Sequence, residues 1–223
     1  MLTVTIPSTG RPKFLEDCIE SIYNVTNVYL FDIEVVVVCC DPQDVSERVY
    51  QMMRGGFKIK IYVKSFKTLD AQRFAFSKVK KGHVLYLADD VVLDNDCLEK
   101  ALAYLEEDSD RCIDLVTTNI PHVQGCFMVV GEKFCERFKD RQIFCPEYEL
   151  FYGAAELRDC AKKLKKYVLG KDCKLKHFHP CCGRKPDKTH IEARSDGADA
   201  RDQVKYFGRS SKEKIWGYSE GLS

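Results

Sequence analysis

Of the 223 residues, 45% are hydrophobic, enough to bury a substantial core as one α/β domain or one domain plus a small appendage. The 35 basic and 34 acidic side chains leave a formal charge of +1, which excludes a global field that recruits nucleic acid or an anionic membrane and makes any phosphate binding local. The longest apolar run, residues 35–40, is far shorter than the roughly 20 residues that cross a bilayer, so no membrane span is expected.

Residues 2–6 form a short β-branched run closed by Pro7, Ser8, Thr9, Gly10 and Arg11. Apolar residues then recur at Phe14, Leu15, Cys18, Ile19 and Ile22, which predicts a strand, a turn and an amphipathic helix. Residues 33–39 read as a parallel strand buried on both faces, and Asp41-Pro42 opens a second helical stretch reaching Met53. Residues 59–63 give a third strand, 69–79 a third helix and 84–88 a fourth strand. This alternation predicts a mostly parallel sheet, with ligands beyond the carboxyl ends of its strands, where Ser8, Thr9, Arg11, Asp41, Asp89 and Asp90 gather. The second half is less regular: 115–119 and 126–130 read as strands, 154–167 as a helix and 174–178 as a last strand. Residues 180–208, rich in charge, Gly and Pro, are expected to wrap the surface or act as a lid.

The twelve cysteines follow no repeating spacing, and the opening MLTVTIPSTGRP lacks a basic stretch followed by an apolar one. A reducing, cytoplasmic setting is therefore expected, in which the acceptor pattern Asn24-Val25-Thr26 stays idle.

The sharpest chemical signal is HVLYLADDVVLDNDCLEKAL. A buried strand delivers two adjacent carboxylates, Asp89 and Asp90, with no basic residue near them in sequence, an arrangement that is costly unless a cation neutralises it. Mg²⁺ and Mn²⁺ take such oxygen ligands and keep positions for phosphate. Alternatively, Asp89 is a turn residue and Asp90 a helix cap. A zinc site from Cys181, Cys182 and His190 lacks the usual ligand spacings. The run Lys162 to Lys166 reads as a solvated helix face.

Thr5-Ile6-Pro7-Ser8-Thr9-Gly10-Arg11-Pro12, then residues 34–41, then 87–93, resemble in order and spacing the family 2-type glycosyltransferases of the GT-A fold. The resemblance implies an α/β nucleotide-diphospho-sugar transferase fold with a mostly parallel central sheet flanked by helices and an irregular C-terminal segment. On this reading a single domain covers residues 1–208, with a nucleotide-binding half (1–119) and an acceptor and metal-completing half (120–208), followed by a tail or linker at 209–223. The nucleotide contacts carry over to Pro7, Ser8, Thr9 and Arg11 after the first strand, to Asp41 after the second, and to Arg73 on the helix before the acidic motif. That motif is commonly Asp-x-Asp, and here Ala88 holds its first position, leaving Asp89 for ribose or metal and Asp90 as the main metal ligand. The family often adds one histidine after the last core strand, which gives His179 first and His177 second.

The stretch from Glu147 to Glu156 resembles the family's acceptor-site helix, with Glu156 the first choice of base and Glu149 the second, although the family's usual Glu-Asp is Ala155-Glu156 here. Gly125-Cys126-Phe127-Met128 resembles the strand that lets the donor sugar approach the backbone. The implied activity is Mn²⁺- or Mg²⁺-dependent, hexosyltransferase-like transfer of a sugar from a nucleotide diphosphate, a UDP-sugar by resemblance, to a hydroxyl on a glycan or glycoprotein, with inversion. A sugar-nucleotide nucleotidyltransferase and a non-catalytic sugar-nucleotide binding module are the alternatives. The segment HFHPCCGRKPDKTH, with no secretion or membrane signal, looks similar to soluble glycosyltransferases of bacteriophages and large DNA viruses, which act in the host cytoplasm.

Overall fold

The computed structural model describes residues 1–24, 32–65, 68–119, 126–180, 184–186, 188, 191, 195 and 197–223. Gly125, Cys181, Cys182, Asp187, Thr189 and His190, together with Val25 and Thr26, lie outside the described residues.

The first half is built as its hydrophobic pattern dictates. β1 (Leu2–Ser8), β2 (Ile33–Cys39) and β3 (Ile59–Val63) lie side by side in parallel, and β4 (His83–Tyr86) pairs in parallel with the other edge of β1. Val35, Val36, Val37 and Val38 are all buried, as a strand covered by helices on both faces requires. The helices α1 (Pro12–Asn24), α2 (Glu47–Arg54) and α3 (Thr68–Phe76) connect these strands. α1 buries Leu15, Cys18, Ile19 and Ile22 at helical spacing. Because β1 to β4 run the same way, their carboxyl ends share one edge of the sheet.

Beyond β4 the sheet takes in antiparallel strands. β5 (Val91–Leu93) follows the two aspartates directly, then α4 (Cys97–Glu107), β6 (Cys112–Thr117) and β7 (Met128–Val130). α5 (Glu132–Cys135) and α6 (Gly153–Lys163) precede β8 (Tyr167–His177). The eight strands lie in the order β3-β2-β1-β4-β7-β6-β8-β5, with β4–β7, β6–β7 and β5–β8 antiparallel. β8 is much longer than the strand expected at 174–178, and its pairing with β6 shifts register between Leu115 and Val116. The short β5 reaches its neighbour with Val91 opposite His177, which brings the acidic turn to the end of β8.

The stretch expected to be irregular holds a further helix, α7 (Ala198–Ser211). Its buried residues are Ala198, Asp202 and Arg209, so its inner face is largely polar and carries no apolar periodicity to read. Residues 209–223, expected as a tail or linker, pack onto the domain: Ile215 is buried in the core, Trp216 packs against it, and Leu222 bridges to Phe138. Among the described residues no helix is long and apolar enough to cross a membrane.

Candidate active site

The site begins where β1 and β4 end. Ser8, the last residue of β1, donates its hydroxyl to Asp89 Oδ2 at 2.8 Å. Pro7 before it pairs only toward β2, because β4 stops opposite Thr5, so its missing N–H leaves no gap in the ladder. Gly10 then turns the chain with φ +66°, a conformation glycine adopts without penalty, and Arg11 follows just ahead of α1.

The Arg11 guanidinium spans both acids. It pairs with Asp89 Oδ1 through Nη2, donates from Nε to Asp89 Oδ2 at 3.2 Å, and reaches Asp90 Oδ2 from Nη1 at 3.1 Å. Asp89 and Asp90 are buried, at 0% and 2% exposure. No basic residue lies near the pair in sequence, and the cation that neutralises it comes from 78 residues away, meeting the acids through β1–β4 pairing. Burial lifts the Asp89 carboxyl to about 7, with Arg11 pulling down and Asp90 pushing up. Asp90 goes the other way. Burial pushes it up too, but the hydrogen bond and charge of His177, aided by Arg11 and His179, hold it well below the ordinary carboxylate range.

His177 Nε2 lies 3.2 Å from Asp90 Oδ1, and His179 is close enough for its charge to act on the same carboxyl. The two rings stack with centroids 5.1 Å apart, as positions two apart in extended chain lie on one side. Phe127 packs edge-on against His177. Asn119 fixes the backbone there, accepting from the His177 N–H at 3.0 Å and donating to the His177 carbonyl at 2.9 Å. The Phe178 N–H donates to the Asp90 carbonyl at 2.8 Å, closing the turn onto β8. Ala88, partly buried, offers its carbonyl to the Cys18 thiol of α1 at 3.7 Å. A carboxylate oxygen beside imidazole nitrogens is a donor set that suits Mn²⁺, so Asp90 and His177, with His179 adjacent, fit a divalent cation. Asp89 is turned toward Ser8 and Arg11. Among the described residues the one trio of such donor atoms within 4.8 Å is Glu16, Asp17 and Glu20 on α1, where Lys13, Ser46 and Arg48 already bind those carboxylates.

The loops after β1 and β2 share a keystone that the sequence pattern did not single out. Buried Asp44 accepts the N–H groups of Gly10 at 2.6 Å, Cys40 at 3.1 Å and Asp41 at 2.9 Å, tying the turn after β1 to the loop after β2. Asp41 is exposed and caps the short helical turn Pro42–Asp44 by accepting from the Gln43 N–H at 2.8 Å. Asp-Pro followed by Asp at the third position is a capping-box pattern, so Asp44 had a sequence signal. Thr9 Oγ1 lies 3.3 Å from Cys40 Sγ across the same cleft. Arg73, expected on the nucleotide side, pairs with Asp70 and donates to the Tyr148 carbonyl at 2.9 Å, bracing the 145–148 segment from α3.

The two carboxylates expected at the acceptor site, Glu149 and Glu156, divide sharply. Glu156, on the first turn of α6, is 2% exposed, and its Oε1 accepts from Arg209 Nε and Nη2 and from the Trp216 N–H, each at 3.1 Å. A base must meet an acceptor hydroxyl arriving from solvent, and Glu156 instead faces inward as an anchor for residues 209–216. Glu149 is the more accessible, with a 27% exposed side chain held by Arg201 at 2.8 Å and Lys205 at 3.1 Å, both from α7. Asp202, fully buried on α7, accepts the N–H groups of Glu149, Leu150 and Phe151. Tyr206 stacks on Tyr152 and donates its hydroxyl to Asp159 at 2.5 Å. Arg201, Asp202, Lys205 and Arg209 were invisible to the sequence reading because their helix was.

A parallel half-sheet with an acidic turn at its carboxyl edge, completed by a mixed sheet carrying a histidine, is the architecture of the GT-A glycosyltransferases. Residues 3–146, more than half of the chain, match Glycosyl transferase family 2, and the protein belongs to that family. No curated protein matches its sequence. Among solved structures it is similar to the mannosyltransferase PcManGT from Pyrobaculum calidifontis in complex with GDP-Man and Mn²⁺, with TM-score 0.68 and 13% identity over 95% of this chain and 64% of that one. It is also similar to GalNAc-T7 with UDP, GalNAc and Mn²⁺, with TM-score 0.61 and 11% identity over 80% of this chain and 43% of the other. A third similar structure is S. aureus TarS 1-349, with TM-score 0.54 and 17% identity over 75% of this chain and 57% of the other. The chain thus spans less than two thirds of the length of each of these proteins, and at these identities the likeness is one of fold.

Proposed function

We propose that the protein is a metal-dependent glycosyltransferase that moves a hexose-like sugar from a nucleotide diphosphate donor to a hydroxyl of a glycan or glycoprotein. The observation that carries this reading is the buried Asp89–Asp90 turn at the carboxyl edge of the parallel strands, with His177 on one side and Arg11 on the other. Asp90 and His177 would hold Mn²⁺ or Mg²⁺, which when bound supplies Lewis-acid stabilisation of a leaving diphosphate. Ser8, Thr9, Gly10 and the Asp41–Asp44 loop form the nucleotide edge, shaped by Asp44. Family membership favours a uridine donor, and the GDP-Man complex of PcManGT makes a guanosine donor the one to test against it. The unrepeating spacing of the twelve cysteines supports placing the protein in a reducing compartment such as the cytoplasm.

Inversion requires a base, and Glu149 is the residue we assign. Its carboxylate, bound by Arg201 and Lys205, would take the acceptor proton once the hydroxyl displaces one of those cations. The burial of Glu156 under Arg209 favours a second reading, a sugar-nucleotide binding module that lacks a working base. The deciding experiment is a thermal-shift screen of UDP- and GDP-sugars with and without Mn²⁺, followed by donor turnover in Asp90→Ala and Glu149→Gln. A metal-dependent shift with one nucleotide class, lost in Asp90→Ala, supports the transferase. Turnover undiminished in Asp90→Ala refutes it, and binding without any turnover in the wild type points to the module.

A further inference from the structure

We infer that Arg11 is a built-in counterion of the Asp89–Asp90 pair that an arriving divalent cation must displace, so that cation binding depends on a nucleoside diphosphate giving Arg11 another partner. The inference rests on the proposed transferase reading of this site. Among the described residues, the guanidinium makes a fork onto both oxygens of Asp89 and a further bond from Nη1 to Asp90 Oδ2 at 3.1 Å. The Arg11 side chain is 14% exposed while the two acids are 0% and 1% exposed, so this is an ion pair within the wall of the site and not a surface contact. Asp90 is shared, with His177 on Oδ1 and Arg11 on Oδ2.

Charge counting gives the consequence. Among the described residues in contact at the turn, two ionised carboxylates beside one guanidinium leave one net negative charge when His177 is neutral. A divalent cation added to Asp90 with Arg11 still in place makes it net positive in a poorly solvated pocket, and the two cations repel across a single carboxylate. Releasing Arg11 removes that repulsion only if the guanidinium finds another anion. A diphosphate is the natural one, because the planar guanidinium fork matches phosphate as well as it matches carboxylate. Arg11 directly precedes α1, whose amino-terminal end favours an anion beside it. Cation and nucleotide therefore reinforce each other, and by thermodynamic reciprocity each tightens the other by the same factor.

The test measures binding by titration calorimetry, using Mn²⁺ alone and then Mn²⁺ with UDP or GDP, on wild type, Arg11→Ala and Arg11→Lys, with the solution Mn²⁺–nucleotide equilibrium subtracted. In wild type a saturating nucleotide tightens Mn²⁺ at least about tenfold. Arg11→Ala binds Mn²⁺ alone at least about tenfold more tightly than wild type and loses most of the nucleotide effect. Arg11→Lys, which keeps a point charge but not the fork, falls between the two and serves where the alanine variant does not fold. Wild-type Mn²⁺ affinity indifferent to both nucleotides, or variants that bind Mn²⁺ alone no better than wild type, overturns the inference. A wild type that takes up neither Mn²⁺ nor either nucleotide instead refutes the transferase reading itself, so the two failures are distinguishable.

Discussion

Glu149 and Glu156 stand seven positions apart on one stretch of chain, and their surroundings give them opposite tasks. Glu156→Gln leaves Arg209 buried with Glu147 and Glu220 as its remaining anions, so a loss of about 2–3 kcal/mol of stability is expected, at the low end for a broken buried pair. Urea unfolding measures it, and an unchanged midpoint would show that the buried pair is not the anchor it looks. Glu149→Gln is expected to retain stability and nucleotide binding while turnover falls at least about a hundredfold, the range of a lost general base. Asp202 belongs with them. Its carboxylate serves three successive N–H donors, the shortest bond being 2.7 Å to Leu150, so Asp202→Ala strands all three and is expected to cost about 2–4 kcal/mol. Asp202→Asn, which keeps one acceptor oxygen, should lie between. None of these inward-facing roles was legible in the sequence. Glu156 and Arg209 are 53 positions apart, and a glutamate on a first helical turn looks the same whether it faces solvent or the interior.

At the level of elements, legibility followed burial by apolar side chains. Residues 33–39 emerged as a strand with the boundaries read from its apolar run, because a strand covered on both faces leaves an uninterrupted signature; 59–63, an edge strand with Lys60 and Val63 exposed, emerged with its expected boundaries too. β5, three residues long, and α7, whose inner face is charged, left none. The carboxyl-edge grouping of Ser8, Arg11, Asp89 and Asp90 was legible since topology alone gathers strand ends. The Arg11–Asp89 contact was not, since it is made in three dimensions. The junction of β4 with α5 illustrates an element-level dependence on pH. His83 Nδ1 accepts the Glu132 N–H at 3.1 Å, which needs an unprotonated ring nitrogen. Burial lowers the His83 pKa below 6.5, aided by the N-terminal amine and Arg141 and opposed by Glu132. Folding therefore disfavours the protonated ring. The stabilisation is present in full above pH 6.5 and is lost as pH falls from there through the lowered folded-state value. Unfolding free energies at pH 7, 6 and 5 should decline less steeply in His83→Gln than in wild type, and parallel slopes would remove His83 from the account.

At the scale of the molecule, the two halves of the sheet are bound into one core, and the last fifteen residues are part of what holds the acceptor side in place. Arg209 joins Glu147, Glu156 and Glu220; Trp216 donates its backbone N–H to Glu156 and its indole N–H to the Gln142 carbonyl at 2.6 Å; and the Ser223 N–H reaches the Arg137 carbonyl at 2.9 Å. Cutting the chain after residue 208 removes Arg209 and the Trp216 N–H together, so Glu156 loses the donors that offset the burial it retains against the rest of the domain. The buried surface of Ile215 and Trp216 goes with them. The expected loss is about 4–6 kcal/mol, which for a domain of this size lowers Tm by roughly 10–20 °C. The cause can be separated from the size of the deletion by adding Glu156→Leu to the shortened chain. If the stranded carboxylate is the main defect, replacing it with an apolar side chain recovers part of the Tm, although the same substitution in the full-length chain lowers it by taking away one of Arg209's buried partners. A shortened chain that melts within a few degrees of the full one, or a leucine variant that is harmful in both backgrounds, would show that residues 209–223 rest on the domain without supporting it.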